Sequence, residues 1–351
     1  MKVCIVGAGA IGGMLGVRLA LSGEGVTLVA RGAHLEAIKK NGLKLIMQDG
    51  TECVTRDAKA TDSLQKAGPQ DVVILAVKAH QIEPIAPALR ALFKPDTIVV
   101  TTQNGIPWWY FQRYGGEFDN YQIKTVDPNG TIAANIEPDR IIGCIAYPAA
   151  KISAPGVIRH IEGNRFPIGE LDGSESEHAK MISHMFIKAG FKSPILPDIR
   201  SELWLKAWGN LTFNPISALT HSTLVDICQY PLTRHLAEMM MSEAQMIANK
   251  LGVTFRVPLE KRITGAEKVG KHKTSMLQDV EAGKLLESDA LLGAVVELGE
   301  LTHTPTPYMD ALYACVKLLA KTIDEESIFI KAQSFCADPT PAALSRVAQA
   351  G

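Results

Sequence analysis

The sequence predicts a doubly wound α/β parallel sheet followed by an all-α domain, and three observations carry the prediction. Short β-branched runs alternate with helical patterns from Met1 to about residue 196, as parallel strands joined by crossover helices do. A glycine-rich stretch, GAGAIG, stands at the first strand-to-helix junction. Beyond Pro197 the alternation stops and the chain reads as helix after helix.

The strands are KVCIV, VTLVA, DVVILAV, TIVVTT and RIIGCIAY. GVIRHIE and NRFPIGE follow and read as a hairpin or meander appended to the sheet. Between Trp108 and Thr131, Gly115-Gly116 and the turn signal Asp127-Pro128-Asn129-Gly130 mark an irregular excursion. Asp198 is a fitting N-cap for the first helix of the second half. Helical periodicity then covers 198–222, 231–251, 258–271, 275–301 and 307–322. The division expected is a nucleotide-binding half over 1–197, a helical half over 198–330 and a small-residue tail over 331–351. At 351 residues and 46% hydrophobic, the chain can bury two domains with separate cores that meet at an interface.

The charges nearly cancel, 36 basic against 37 acidic, which leaves no broad field for nucleic acid or anionic lipid. Six scattered cysteines without CxxC or paired Cys/His spacing argue against a disulfide framework and a structural zinc. His34, His80, His160, His221 and His303 are isolated, so no metal is expected. The apolar N-terminus fits a strand, turn and helix better than a signal peptide, because its glycines cluster and Arg18 interrupts it. A cytoplasmic protein that does not enter the membrane is expected.

GAGAIG follows a strand and opens a helix, the context in which this motif binds a dinucleotide. Gly7 permits the tight turn, Gly9 lets the backbone approach the pyrophosphate, and Gly12 lets helix and strand pack closely. The whole run of Gly7, Ala8, Gly9, Ala10, Ile11 and Gly12 is the expected cradle of a Rossmann-like domain. The second strand ends at Ala30, where an NAD site carries an acid, and Arg31 follows. An arginine forks onto a 2′-phosphate, so NADP is the expected cofactor. Lys78 and Asn104 stand just beyond the third and fourth strands, on the rim where ligands of open sheets sit, although either could cap the segment that follows.

In ELWLKAWGNLTFNP, Lys206, Asn210 and Asn214 recur every four residues on an otherwise apolar helix. Such a stripe persists only if something polar faces it, since an unpaired buried ammonium costs several kcal/mol, on the order of 3–5. The plain alternative is an ion pair with Glu202, one turn earlier. Pro215 removes one helical hydrogen bond and is expected to kink the helix, leaving a free carbonyl near the stripe.

Together with VKAHQ, QNG and TSMLQDVEAGKLLESD, these motifs resemble the ketopantoate reductase (2-dehydropantoate 2-reductase) family over nearly the whole chain. The resemblance implies NADPH-dependent reduction of a 2-oxo acid in a cleft between a Rossmann domain and a helical domain, within pantothenate biosynthesis. It implies Lys206 as proton donor and Asn104, Asn210, Asn214 and Ser275 at the substrate. It puts Lys78 and Asn104 at the nicotinamide end, and Glu287 by the nicotinamide ribose and the reacting centre. The partner implied is a small-molecule 2-oxo acid, and a homodimer is expected. Leu286, Ser288 and Leu292 make the segment LESDALLG less polar than the family pattern, and Trp108 and Trp109 either line a larger or more apolar pocket or serve a plain packing role. The alternatives are an NADP-dependent 3-hydroxy-acid dehydrogenase, whose glycine-rich substrate loop is not evident, and a non-catalytic NADPH sensor, which needs no Lys206.

Overall fold

A computed structural model describes residues 1–332; the expected tail lies outside the described residues from 333 onward, as does Cys336. Eleven strands are described: β1 (Lys2–Val6), β2 (Gly25–Val29), β3 (Leu43–Ile46), β4 (Glu52–Thr55), β5 (Lys59–Thr61), β6 (Val72–Leu75), β7 (Ile98–Thr101), β8 (Ile141–Cys144), β9 (Ala149–Ala154), β10 (Val157–Glu162) and β11 (Ile168–Glu170).

The main sheet runs β5-β2-β1-β6-β7-β8-β11 and is parallel except for β11 on β8. Its central strands β6 and β7 are buried along their whole length, and apolar groups are needed on both faces because helices cover both. That requirement is why VVIL and IVVT read so plainly as strands. One face packs the helix Ala10–Leu21, through Met14, Leu15 and Val17, under a second sheet of order β4-β3-β10-β9.

This second sheet corrects the expected hairpin. GVIRHIE supplies β10, which pairs with β9 and β3, whereas NRFPIGE supplies β11 on the edge of the main sheet. The true hairpin partner, AAKISA, is exposed along most of its length and so lacks the alternation that would announce it. Strands β3, β4 and β5 were likewise not anticipated, being only three or four residues long.

The second half is helical from Ile199 onward, and the stripe helix Ile199–Thr220 runs as one element through Pro215. The single helix expected over 275–301 is broken. It consists of a helix Ser275–Glu281, an irregular segment, a π-turn Asp289–Gly293 and a helix Ala294–Leu301. Gly283, at φ +60°, ends the first piece, and the π-turn shows why periodicity alone read straight through. The break brings Leu285 and Glu287 against Lys78 at the end of β6.

The two halves share a core cluster, while a second lies on the other face of the main sheet and a third within the helical half. A single buried cluster runs from Val6 and Leu75 through Trp108–Phe111 to Trp204, Trp208 and Met240. Trp108 and Trp109, 4% and 2% exposed, belong to that cluster and not to a pocket wall. Trp109 Nε1 donates to Thr101 Oγ1 at 3.0 Å, and Trp204 Nε1 donates to Tyr110 Oη at 2.8 Å. The excursion is irregular, with a 3-10 turn at Gly116–Phe118, and leads into a short helix, Thr131–Asn135, whose free N–H groups at Ile132 and Ala133 donate to the Asp127 carboxylate at 2.9 and 3.0 Å. Among the described residues no helix is long and apolar enough to cross a membrane.

Candidate active site

The strand order reverses between β1 and β6, and a trough opens at their carboxyl ends. Gly7 sits at φ +103°, and a side chain there would meet Val77 at 2.7 Å. A Cβ at Gly12 would stand 2.0 Å from the Gly7 carbonyl, so helix and turn touch there. A Cβ at Gly9 would meet nothing within 4 Å and would protrude into the trough. Two glycines are thus required by the protein's own packing and one leaves room for a ligand, as a pyrophosphate cradle needs. Ala10 and Ile11 line the next stretch, and Ile11 also lines the adjoining cavity.

Arg31 is exposed at the far end of the trough, where it lines a groove with His34, Ser63 and Gln65 beside Ala8 and Gly9. His34 is structural. Its Nδ1 accepts from the Gly156 N–H at 3.0 Å, which leaves the proton on Nε2 for the Ala8 carbonyl 2.8 Å away. A neutral imidazole therefore ties the glycine turn to the turn between β9 and β10.

At the other end, Lys206 and Asn104 meet across the two halves. Lys206 Nζ donates to Asn104 Oδ1 at 2.6 Å and to the Ala146 carbonyl. An ammonium carries three N–H groups. Two are fixed by these acceptors, and the third is left for the cavity that Lys206 lines. Burial pushes the Lys206 pKa down to about 8, with Cys144 and Glu287 pulling it back up. Asn104 is held by its neighbour: Gly105, at φ +82°, lies so close to Ala290 that a Cβ would be 2.1 Å from its carbonyl oxygen.

The alternative, a Glu202 pair with Lys206, does not form. Glu202 is 1% exposed and its carboxylate is taken by Tyr147 Oη at 2.8 Å, Arg165 and Arg256. With that acid occupied elsewhere, Lys206 faces Tyr147, whose ring centroid is 6.0 Å from Nζ.

Lys206, Asn104, Asn210, Asn214 and Ser275 all line one cavity of about 660 Å³. Asn214 Nδ2 donates to Ser275 Oγ at 3.3 Å, which links the stripe helix to the helix Ser275–Glu281. Lys78 lines the trough. Its ammonium donates to Asp279 Oδ2 at 2.7 Å and to the Leu285 carbonyl at 2.9 Å. Glu287 lines the trough, with Oε1 accepting from the Ala79 N–H at 3.4 Å. Burial raises its pKa, against the opposing pull of Lys78.

The sequence reading missed three groups that the fold brings here. Arg262 and Tyr147 line the cavity, and Asp279 holds Lys78. For Tyr147 and Asp279 no local signal existed. Arg262 did leave one: it shares a helix face with Leu259 and Ala266, a charge on an apolar stripe like that of Lys206.

Residues 3–173 match the sequence profile described as Ketopantoate reductase PanE/ApbA, and residues 198–320 match its C-terminal counterpart. A 2-dehydropantoate 2-reductase of Mesorhizobium japonicum is 50% identical over 321 residues, 91% of this chain and 98% of its own. Among solved structures, a protein of Ralstonia solanacearum MolK2 assigned to ketopantoate reductase is 39% identical. It superposes with a TM-score of 0.87 over 92% of this chain and 98% of its own. A D-mandelate dehydrogenase solved with NADH and anilino(oxo)acetate, 22% identical, shares the fold with a TM-score of 0.79 over 92% of this chain and all (100%) of its own.

Proposed function

This chain belongs to the ketopantoate reductase PanE/ApbA family and is an oxidoreductase of the 2-dehydropantoate 2-reductase type, and from that premise we propose its cofactor, substrate and catalytic groups. It reduces ketopantoate, or a related branched 2-oxo acid, to the 2-hydroxy acid with NADPH, and Lys206 is the proton donor. The observation that carries this reading is the Lys206 ammonium, fixed by Asn104 and Ala146 on one side and lining the cavity on the other.

The fit to the dinucleotide rests on Gly9, whose missing side chain leaves room in the trough, and on Arg31 at its far end. Arg31 would fork onto a 2′-phosphate, and Gly7 to Gly12 would hold the pyrophosphate. When bound, NADPH supplies the hydride that reaches the ketone carbon. As negative charge grows on the ketone oxygen, the Lys206 ammonium stabilises it and then passes it a proton. Asn104 and Ala146 keep that ammonium oriented through the step, so no reorganisation is needed at the moment of transfer. Asn210, Asn214 and Ser275 orient the substrate, and Glu287 supports the charged form of Lys206 from the nicotinamide side. Because the D-mandelate dehydrogenase of this fold was solved with NADH, the cofactor must be tested directly.

Purified protein is assayed with NADPH and with NADH against a panel of 2-oxo acids. NADPH and a branched 2-oxo acid such as ketopantoate should give the highest kcat/KM. Lys206→Ala should cut turnover by about 10²-fold or more, the scale of a lost general acid, with NADPH affinity retained. Unchanged turnover in that variant would remove Lys206 from the role.

A further inference from the structure

Arg262 lies on the helix Leu259–Lys268 and lines the same cavity as Lys206 and Asn210. Its guanidinium fills a notch on the stripe helix that only a glycine leaves: a Cβ at Gly209 would stand 2.0 Å from Nη2. Gly209 is three residues beyond Lys206, so the notch is about 4.5 Å further along the helix axis at the usual rise. The guanidinium and the ammonium therefore belong to the lining of one cavity.

The other arginines nearby have acids. Arg165 and Arg256 share Glu202, and Arg234 has Glu238 and Glu260. Arg262 has no such partner among the described residues. The titratable groups that act on it most are Tyr147 and Cys228, both uncharged near neutrality, while burial works against its charge. A half-buried guanidinium without a counter-ion is costly, and a site that keeps one faces an anion that arrives from outside.

We infer that Arg262 is the carboxylate anchor of this cavity, forking onto the C1 carboxylate of the 2-oxo acid while Lys206 meets the adjacent ketone oxygen. The inference rests on the reductase reading above and adds the group that selects the acid. Carboxylate and ketone sit on adjacent carbons, so their two partners must be close together, as one helical turn allows. Guanidinium suits a carboxylate because its planar fork matches both oxygens, which a lysine cannot do. The wall beyond it, with Phe213, Leu224 and Val269, is apolar and takes the branched alkyl end. The substrate class is then a small 2-oxo acid carrying one carboxylate, next to the reacting ketone.

The test compares pantoate with its primary amide as competitive inhibitors of the wild-type chain and of Arg262→Met, Arg262→Lys and Gly209→Ala. The wild type should hold the acid about tenfold or more tighter than the amide, the usual gain for a hydrogen bond to a charged group. Arg262→Met should weaken the acid by that factor and leave the amide within about twofold, while Arg262→Lys recovers part of the loss. Gly209→Ala fills the notch and displaces the guanidinium, so it should show the same acid-specific loss. NADPH affinity reports that each variant is folded. If Arg262→Met does not fold, Arg262→Lys and Gly209→Ala decide by the same acid-to-amide ratio. A ratio that stays at the wild-type value, or equal losses for acid and amide, would overturn the anchor. Failure of the wild type to oxidise NADPH with any 2-oxo acid would instead overturn the reductase reading, a distinguishable result.

Discussion

Reduction should lose its rate in mildly alkaline solution, well before an ordinary lysine titrates. Burial brings the Lys206 pKa from 10.5 to about 8. The sign follows from the role: the donor must carry its proton, and desolvation favours the neutral amine, so activity is present below the shifted pKa and lost above it. At about pH 7 roughly nine-tenths of the molecules hold the ammonium, at about pH 8 half, and at about pH 9 one-tenth. The logarithm of kcat/KM should therefore be level on the acid side and fall about tenfold per pH unit on the alkaline side. The assay is the initial rate of NADPH loss with ketopantoate, at constant ionic strength, from about pH 6 to about pH 10. Glu287 is among the groups that hold the Lys206 pKa up, so Glu287→Gln should move the break to lower pH. A profile that stays level to about pH 10, near an ordinary lysine, would refute the reasoning, since the ammonium would then be either solvated or uninvolved.

Two further outcomes follow from the trough. Arg31→Ala should raise the KM for NADPH about tenfold or more, as loss of a forked phosphate contact does, and leave the KM for NADH within about twofold; parallel changes for both would place Arg31 outside the cofactor site. Gly12→Ala would force a Cβ to 2.0 Å from the Gly7 carbonyl and 2.9 Å from Ala76 Cβ. Overpacking of this kind costs about 1–3 kcal/mol, so calorimetry should show a lower melting temperature together with weaker NADPH binding. A variant that melts and binds like the parent would contradict the close approach.

The sheet's central strands were legible because burial on both faces forces unbroken apolar runs, and the glycine turn because its context narrows its meaning. Lys206, Asn210 and Asn214 could be read because helical spacing alone puts them on one side. What escaped was either too short or too distant. Strands β3 to β5 are three or four residues long, and a period of two needs more. The acceptors that orient Lys206 lie 102 and 60 residues before it. Glu202 stood as the alternative partner because an i to i+4 pairing is visible in a sequence, yet its acid is claimed by Arg165 and Tyr147, 37 and 55 residues earlier. The break at 282–288 hid because Val280, Leu286 and Leu291 keep an apolar spacing across it and pack into one cluster. Arg262 was readable by the same logic as Lys206, as a charge on an apolar helix face.

The cluster that joins Val6 and Leu75 to Trp204 and Met240 by way of Trp108–Phe111 also bears on how such a chain can be rebuilt. A chimera made by exchanging everything before residue 197 with a relative would set foreign aromatic shapes against native tryptophans, and Gly105 would have to dock on an unmatched Ala290 carbonyl. A graft that works must carry residues 104–111 together with the helices they touch. For this protein the heritable building block is the seam and both its flanks, and heating should melt them in one cooperative step.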